Sequence, residues 1–412
     1  MIRFYKKKES LSTAGKWAFV IAMLMVLSFR SDYRLPIAGL LVHPCLVLLP
    51  FAYVFSGFAF KSIPSRISSS IFLFFIVFSL ASLQNDKPES EIFKVGSTVA
   101  LFLFFVFSVQ TNKDFIWISW ALLICALSIG IQGFFIGEQS ESGEKISRLA
   151  GINVLEGLGN KNAQSLFTLP GLFFGSFLVI RVLGERKFLK LGVLVVMLFF
   201  IIISIFLSAN RSGWLGMTII FVSILYVSGL KSRTIFFASV VMVIGYLAIN
   251  QYAGDIIERK KKQTTEGYSS DVGRRLLMVA SFTVGFENPI TGVGQDELHR
   301  QMALRLGVHQ FGVKKMDTHF LPGYLFGATG LISISLFTFF LFRLTEKNLS
   351  LNSFELVKKA RQMVIFFVIL FVFRSFFSRE ILYSPSFIGG LGVIVGYYQF
   401  QLRQAVRKKT YG

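Results

Sequence analysis

The chain has 412 residues, 53% of them hydrophobic, with 48 phenylalanines and a mean hydropathy of +0.63. Only 16% are charged, against roughly 25% in soluble domains, so a soluble fold could not bury the apolar surface. The net charge of +21 fits either a nucleic-acid partner or basic loops held on the inner side of a membrane, and the positions of the charges decide between them.

Twelve apolar runs approach the ~17–25 residues that span a bilayer. They fall at 12–29, 35–60, 67–83, 92–110, 115–137, 163–182, 191–208, 214–230, 234–252, 320–342, 363–378 and 386–402. The first follows Lys6-Lys7-Lys8 but lacks a small-x-small cleavage site, so it reads as an uncleaved span. With the N-terminus inside, the inner segments 1–16, 61–66, 111–114, 181–190, 231–233, 343–361 and 403–412 collect most of the basic excess. The outer segments are close to neutral. This bias predicts an all-α polytopic membrane protein of about twelve transmembrane helices with both termini cytoplasmic. It also argues against nucleic acid, because the basic residues are scattered over short loops.

The predicted organisation is helices 1–9 within 1–250, including a short outer loop at 138–162; a large outer loop at 251–319; and helices 10–12 with a basic tail within 320–412. Inside the large loop, 273–286 reads as an amphipathic or surface-lying helix, broken by Glu287-Asn288-Pro289. Gly292-Val293-Gly294 reads as a turn. Residues 296–310 read as a second helix with Leu298, Met302 and Leu306 on one face.

Cys45 and Cys125 lie in apolar runs, which excludes a disulfide framework and a cysteine metal site. No HExxH, CxxC or Walker-type loop is present. The candidate chemistry is a set of polar residues at the outer surface. Arg211 stands between two apolar runs, Arg274 and Arg275 open the loop helix, and His319 precedes the tenth span. Arg374 lies near the outer end of the eleventh span, with Arg379 beyond it. Asn160 and Asn162 are secondary candidates, as a helix cap or a polar wall. Arginine binds phosphate oxygens bidentately, and histidine accepts a proton from an attacking hydroxyl. The set fits an anionic, lipid-linked substrate. Bland readings compete: interfacial arginines snorkel to headgroups, and a structural pairing explains Arg374 nearly as well as a functional role. His299 and His309 read as ordinary residues of an amphipathic helix, and His43 as packing beside Pro44.

Several motifs, in order, resemble the O-antigen ligase family, which includes some O-antigen and exopolysaccharide polymerases. They are Gly159-Asn160-Lys161-Asn162-Ala163, Ser208-Ala209-Asn210-Arg211-Ser212-Gly213, Gly273-Arg274, Glu287-Asn288-Pro289-Ile290-Thr291-Gly292-Val293-Gly294, Thr318-His319 and Gly330-Leu331. The resemblance implies a bacterial inner-membrane glycosyltransferase. It would move a glycan from an undecaprenyl diphosphate carrier to an acceptor hydroxyl such as lipid A-core, without metal or cofactor. It implies His319 as the catalytic histidine and Arg211 and Arg274 as diphosphate ligands, with Arg275 beside them. Phe320 replaces the family's asparagine, Met278 its tryptophan, and Ala328 or Thr329 its acidic residue. A polymerase acting on the same donor stays open, as does a lipid-linked oligosaccharide transporter. The gathering of polar residues at the outer surface rather than the midplane favours an enzyme.

Overall fold

A computed structural model describes residues 13–29, 35–37, 40–55, 65–86, 88–136, 161–207, 211–229, 270–307, 318, 320–346 and 354–411. Most of these residues are helical. In chain order the helices are α1 (Thr13–Ser28), α2 (Pro44–Phe55), α3 (Ser65–Ser82), α4 (Pro88–Ser108) and α5 (Asn112–Ile136). Then come α6 (Lys161–Gly184), α7 (Phe188–Leu207), α8 (Arg211–Ser228), α9 (Ser270–Glu287) and α10 (Gln295–Arg305). The last are α11 (Leu321–Leu344), α12 (Glu355–Ser375), a 3-10 turn (Arg379–Tyr383) and α13 (Pro385–Tyr411). The expected span at 234–252 lies outside the described residues.

The run expected as one span at 35–60 begins differently. Leu35–Ile37 (β1) and Leu40–Val42 (β2) pair antiparallel, with Leu35 opposite Val42. Pro36 has no N–H for a helix ladder, and Ile37 and Val42 are β-branched, which favours extended backbone. The helix starts at Pro44, where a missing N–H costs nothing. His43, expected as packing beside Pro44, directly precedes this start. It is buried at the start of α2, and its Nδ1 accepts the Cys45 N–H at 3.2 Å.

Five described helices are long and apolar enough to cross a membrane: Pro88–Ser108, Asn112–Ile131, Ser165–Gly184, Phe188–Ile205 and Leu321–Leu344. Four apolar helices are shorter: Phe19–Ser28, Pro44–Val54, Arg66–Ser82 and Ser212–Ser228. The last two helices read less clearly as spans. Lys358, Lys359, Arg361 and Arg374 interrupt α12, and glycines, Tyr397, Tyr398 and Gln401 dilute α13.

The C-terminal helix is the axis of the bundle. It packs on α4, α5, α6 and α12, and is buried over most of 386–396. Its Gly389, Gly392 and Gly396 share a face three or four residues apart. A Cβ at Gly392 or Gly396 would press on the carbonyl oxygens of Phe102 or Val106. Small residues there let α4 and α13 approach backbone to backbone. Around this axis the phenylalanines interlock: Phe173 meets Phe367 edge-on at 5.1 Å, and Phe371 meets Phe387 at 6.3 Å. Outward, α7 presents Phe188, Leu189, Val195, Val196 and Phe199, an apolar surface suited to lipid.

One end of the bundle carries α10 and holds the site, so its construction matters. Helix α11 is broken at Gly330, where φ is 76° and ψ −178°. The break diverts the Leu331 N–H to the Pro289 carbonyl at 2.7 Å. The Gly327 and Ala328 carbonyls instead accept the N–H groups of Val293 and Gly294, at 3.0 and 2.9 Å. The loop after α9 thus supplies bonds that the broken helix lacks. Gly292, at φ 65°, fits because a Cβ there would strike the Ala328 backbone.

The turn into α10 is closed from another element. Gly294 is its N-cap and offers no side chain. The Asn85 Oδ1, from the α3–α4 connection, accepts the Gln295 and Asp296 N–H groups at 2.5 and 3.3 Å. The expected helix over 296–310 stops at Arg305, with Gly307 following at φ 69°. We predict that Asn85→Ala costs about 1 kcal/mol locally. Amide hydrogen exchange at 295–297 should then run roughly fivefold faster, and an unchanged rate would contradict this capping role.

Candidate active site

Of the sequence-predicted set, Arg274 and Arg275 come together, with Arg374 near Arg274. Arg274 and Arg275 lie in the second turn of α9 and line a half-open cleft of about 250 Å³. Leu277, Met278, Phe320, Phe376 and Phe377 complete its walls. The cleft therefore combines two exposed guanidinium groups with an apolar, mostly aromatic lining. Phe320 is buried against Phe282 at 5.4 Å and Phe376 at 5.7 Å. Both Phe320 and Met278, which depart from the family pattern, line this cleft.

Arg374, in the last turn of α12, is fully buried. Its Nη1 donates to the Ser212 hydroxyl, which is buried in the first turn of α8. The Arg274 charge opposes that of Arg374, and Glu380 attracts it. Two neighbouring cations favour an anion near them.

Arg211 is the first residue of α8, directly before Ser212, so that helix start stands beside Arg374. Asn162 is the second residue of α6. His319 and Asn160 lie outside the described residues. The neighbours of His319 are described. Thr318 is buried, and its hydroxyl donates to the Phe320 carbonyl at 3.0 Å.

A second polar cluster, one helical turn past Phe320, escaped the sequence reading. Glu91, in the first turn of α4, is buried and pairs with Lys94 at 2.5 Å. Its Oε2 accepts the hydroxyls of Tyr324 at 3.3 Å and Tyr383 at 3.2 Å. Oriented to satisfy both its atoms, the Gln295 amide donates to Glu91 Oε2 at 2.9 Å. The Arg379 guanidinium stacks over the Tyr324 ring at 5.0 Å and bonds His299 Nε2 at 3.1 Å. His299 is buried, not a solvated member of an amphipathic helix. The signal available in the sequence was Lys94, a charge inside an apolar run with an acidic residue three positions before it.

Further along α10, Arg300 and then Gln301 beside Glu297 hold its carboxyl below the usual carboxylate range. Among the described residues no group of three or more His, Cys, Asp or Glu could hold a metal ion.

No curated protein matches the chain significantly. The family model described as O-Antigen ligase matches residues 194–338, from within α7 to within α11.

Proposed function

We propose that the protein is a membrane glycosyltransferase of the O-antigen ligase type, moving a glycan from undecaprenyl diphosphate to an acceptor hydroxyl such as that of lipid A-core. The observation that carries this reading is the cleft, lined by Arg274 and Arg275 together with Phe320, Phe376 and Phe377. Guanidinium groups bind a diphosphate through charge-assisted bonds, and an aromatic channel accommodates the adjoining polyprenyl. As the sugar–phosphate bond breaks, negative charge grows on the departing diphosphate. Arg274, with Arg211 near the α8 start, stabilises that charge, so the leaving group needs no added proton. His319 accepts the proton of the acceptor hydroxyl as its oxygen attacks the sugar carbon. The α10 end faces the periplasm in this reading, in line with the inward bias of the basic loops.

The test is transfer by the purified protein in detergent, using undecaprenyl-diphosphate glycan and lipid A-core. Product without a sealed membrane supports an enzyme, because transport needs two compartments. Arg274→Ala is expected to lower kcat/KM about 30-fold, the loss of a charge-assisted contact worth ~2 kcal/mol. Arg274→Lys should recover only part of this, since lysine lacks the planar fork. Elongated carrier-linked glycan in place of lipid A-core product would assign the polymerase reaction instead.

A further inference from the structure

The Glu91 cluster lies outside the chemistry proposed above, yet it joins both walls of the cleft. One wall is the start of α11. Tyr324 follows Phe320 by one turn, and its N–H bonds the Phe320 carbonyl at 3.0 Å. The other wall is the joint after α12, where Phe376 and Phe377 lead into the 3-10 turn that ends at Tyr383. The Tyr324 and Tyr383 hydroxyls meet on one oxygen of Glu91. Helix α4 grips the same turn again, where the Thr98 hydroxyl donates to the Leu382 carbonyl at 3.2 Å. Gln295 brings in α10, and Arg379 crosses from the turn onto the Tyr324 ring.

Four elements thus converge on one carboxylate. Burying a charge is expensive, and an apolar contact of similar volume stabilises a bundle as well or better. What a hydrogen-bonded carboxylate adds is geometry, because each donor must sit at a fixed distance and direction. Phenylalanine walls alone would slide over one another with little penalty.

We propose that Glu91 is a positioning residue. Through Tyr324 and Tyr383 it fixes the separation of the Phe320 wall from the Phe376–Phe377 wall, and so sets the grip of the cleft on its lipid-linked substrate. The proposal rests on the reading of the cleft as the donor site.

The experiment measures binding of undecaprenyl diphosphate to the purified full-length protein in detergent, with thermal midpoints recorded in parallel. Glu91→Gln keeps the shape but presents an N–H₂ to a set of donors, and Tyr383→Phe removes one donor only. Each is expected to weaken binding about tenfold with the midpoint nearly unchanged. Glu91→Asp, which restores a carboxylate, should recover part of the loss. Wild-type affinity in both variants would overturn the proposal. So would losses that follow the fall in midpoint across all three variants with no recovery in Glu91→Asp. Arg274→Ala separates the two levels of the argument. If it binds the probe normally, the donor-site reading fails. If it binds weakly while Glu91→Gln binds normally, only the positioning role fails.

Discussion

His319→Ala is expected to lower glycan transfer by roughly 10²–10⁴-fold, the range lost with a positioned general base. The residue is covalently held between two anchored neighbours. Thr318 is buried and bonded to the Phe320 carbonyl, and Phe320 is itself a wall of the cleft. An unchanged thermal midpoint in detergent would show that the loss is not one of folding. His319→Gln separates two roles, since an amide can orient a hydroxyl by hydrogen bonding but cannot take its proton. Near-normal transfer by the glutamine variant would reduce His319 to an orienting group. Near-normal transfer by the alanine variant would remove it from the mechanism.

The second large effect should come from Gly330→Ala. At φ 76° and ψ −178° the backbone is in a region essentially reserved for glycine, and the added Cβ would overlap the Ile290 carbonyl. We expect a cost on the order of 3 kcal/mol, with loss of transfer and faster proteolysis of the α9–α10 segment. Gly192→Ala is the matched control. Its Cβ would meet nothing within 4 Å, and a glycine in a helix interior gains from a side chain. If both variants behaved alike, the α11 break would not be the structural element described above.

The helices were legible because apolar runs of bilayer length are set by local composition, and 88–108, 112–136 and 161–184 are helical close to the expected limits. The run from residue 35 was misread because hydropathy does not see Pro36 or the start signal at His43-Pro44. Arg374 stood out because a charge inside an apolar run is conspicuous alone. Glu91 did not, because it reads as one more loop charge until Gln295, Tyr324 and Tyr383 close around it. Those partners lie more than 200 residues away along the chain, and no periodicity reports such a meeting. Gly292 and Gly294 were readable as a turn, but the place where that turn docks was not.

That docking decides how the protein can be taken apart and recombined. Residues 289–294 and 327–331 exchange backbone bonds, so they form one unit although a sequence-drawn boundary at 319 and 320 separates them. A chimera that swaps the segment before that boundary would pair a foreign turn with a native broken helix and mismatch both. One joined after Leu331 would carry the first half of α11, with Phe320 and Tyr324, along with the loop that supports it. By this account the transplantable module is the loop together with half a membrane helix.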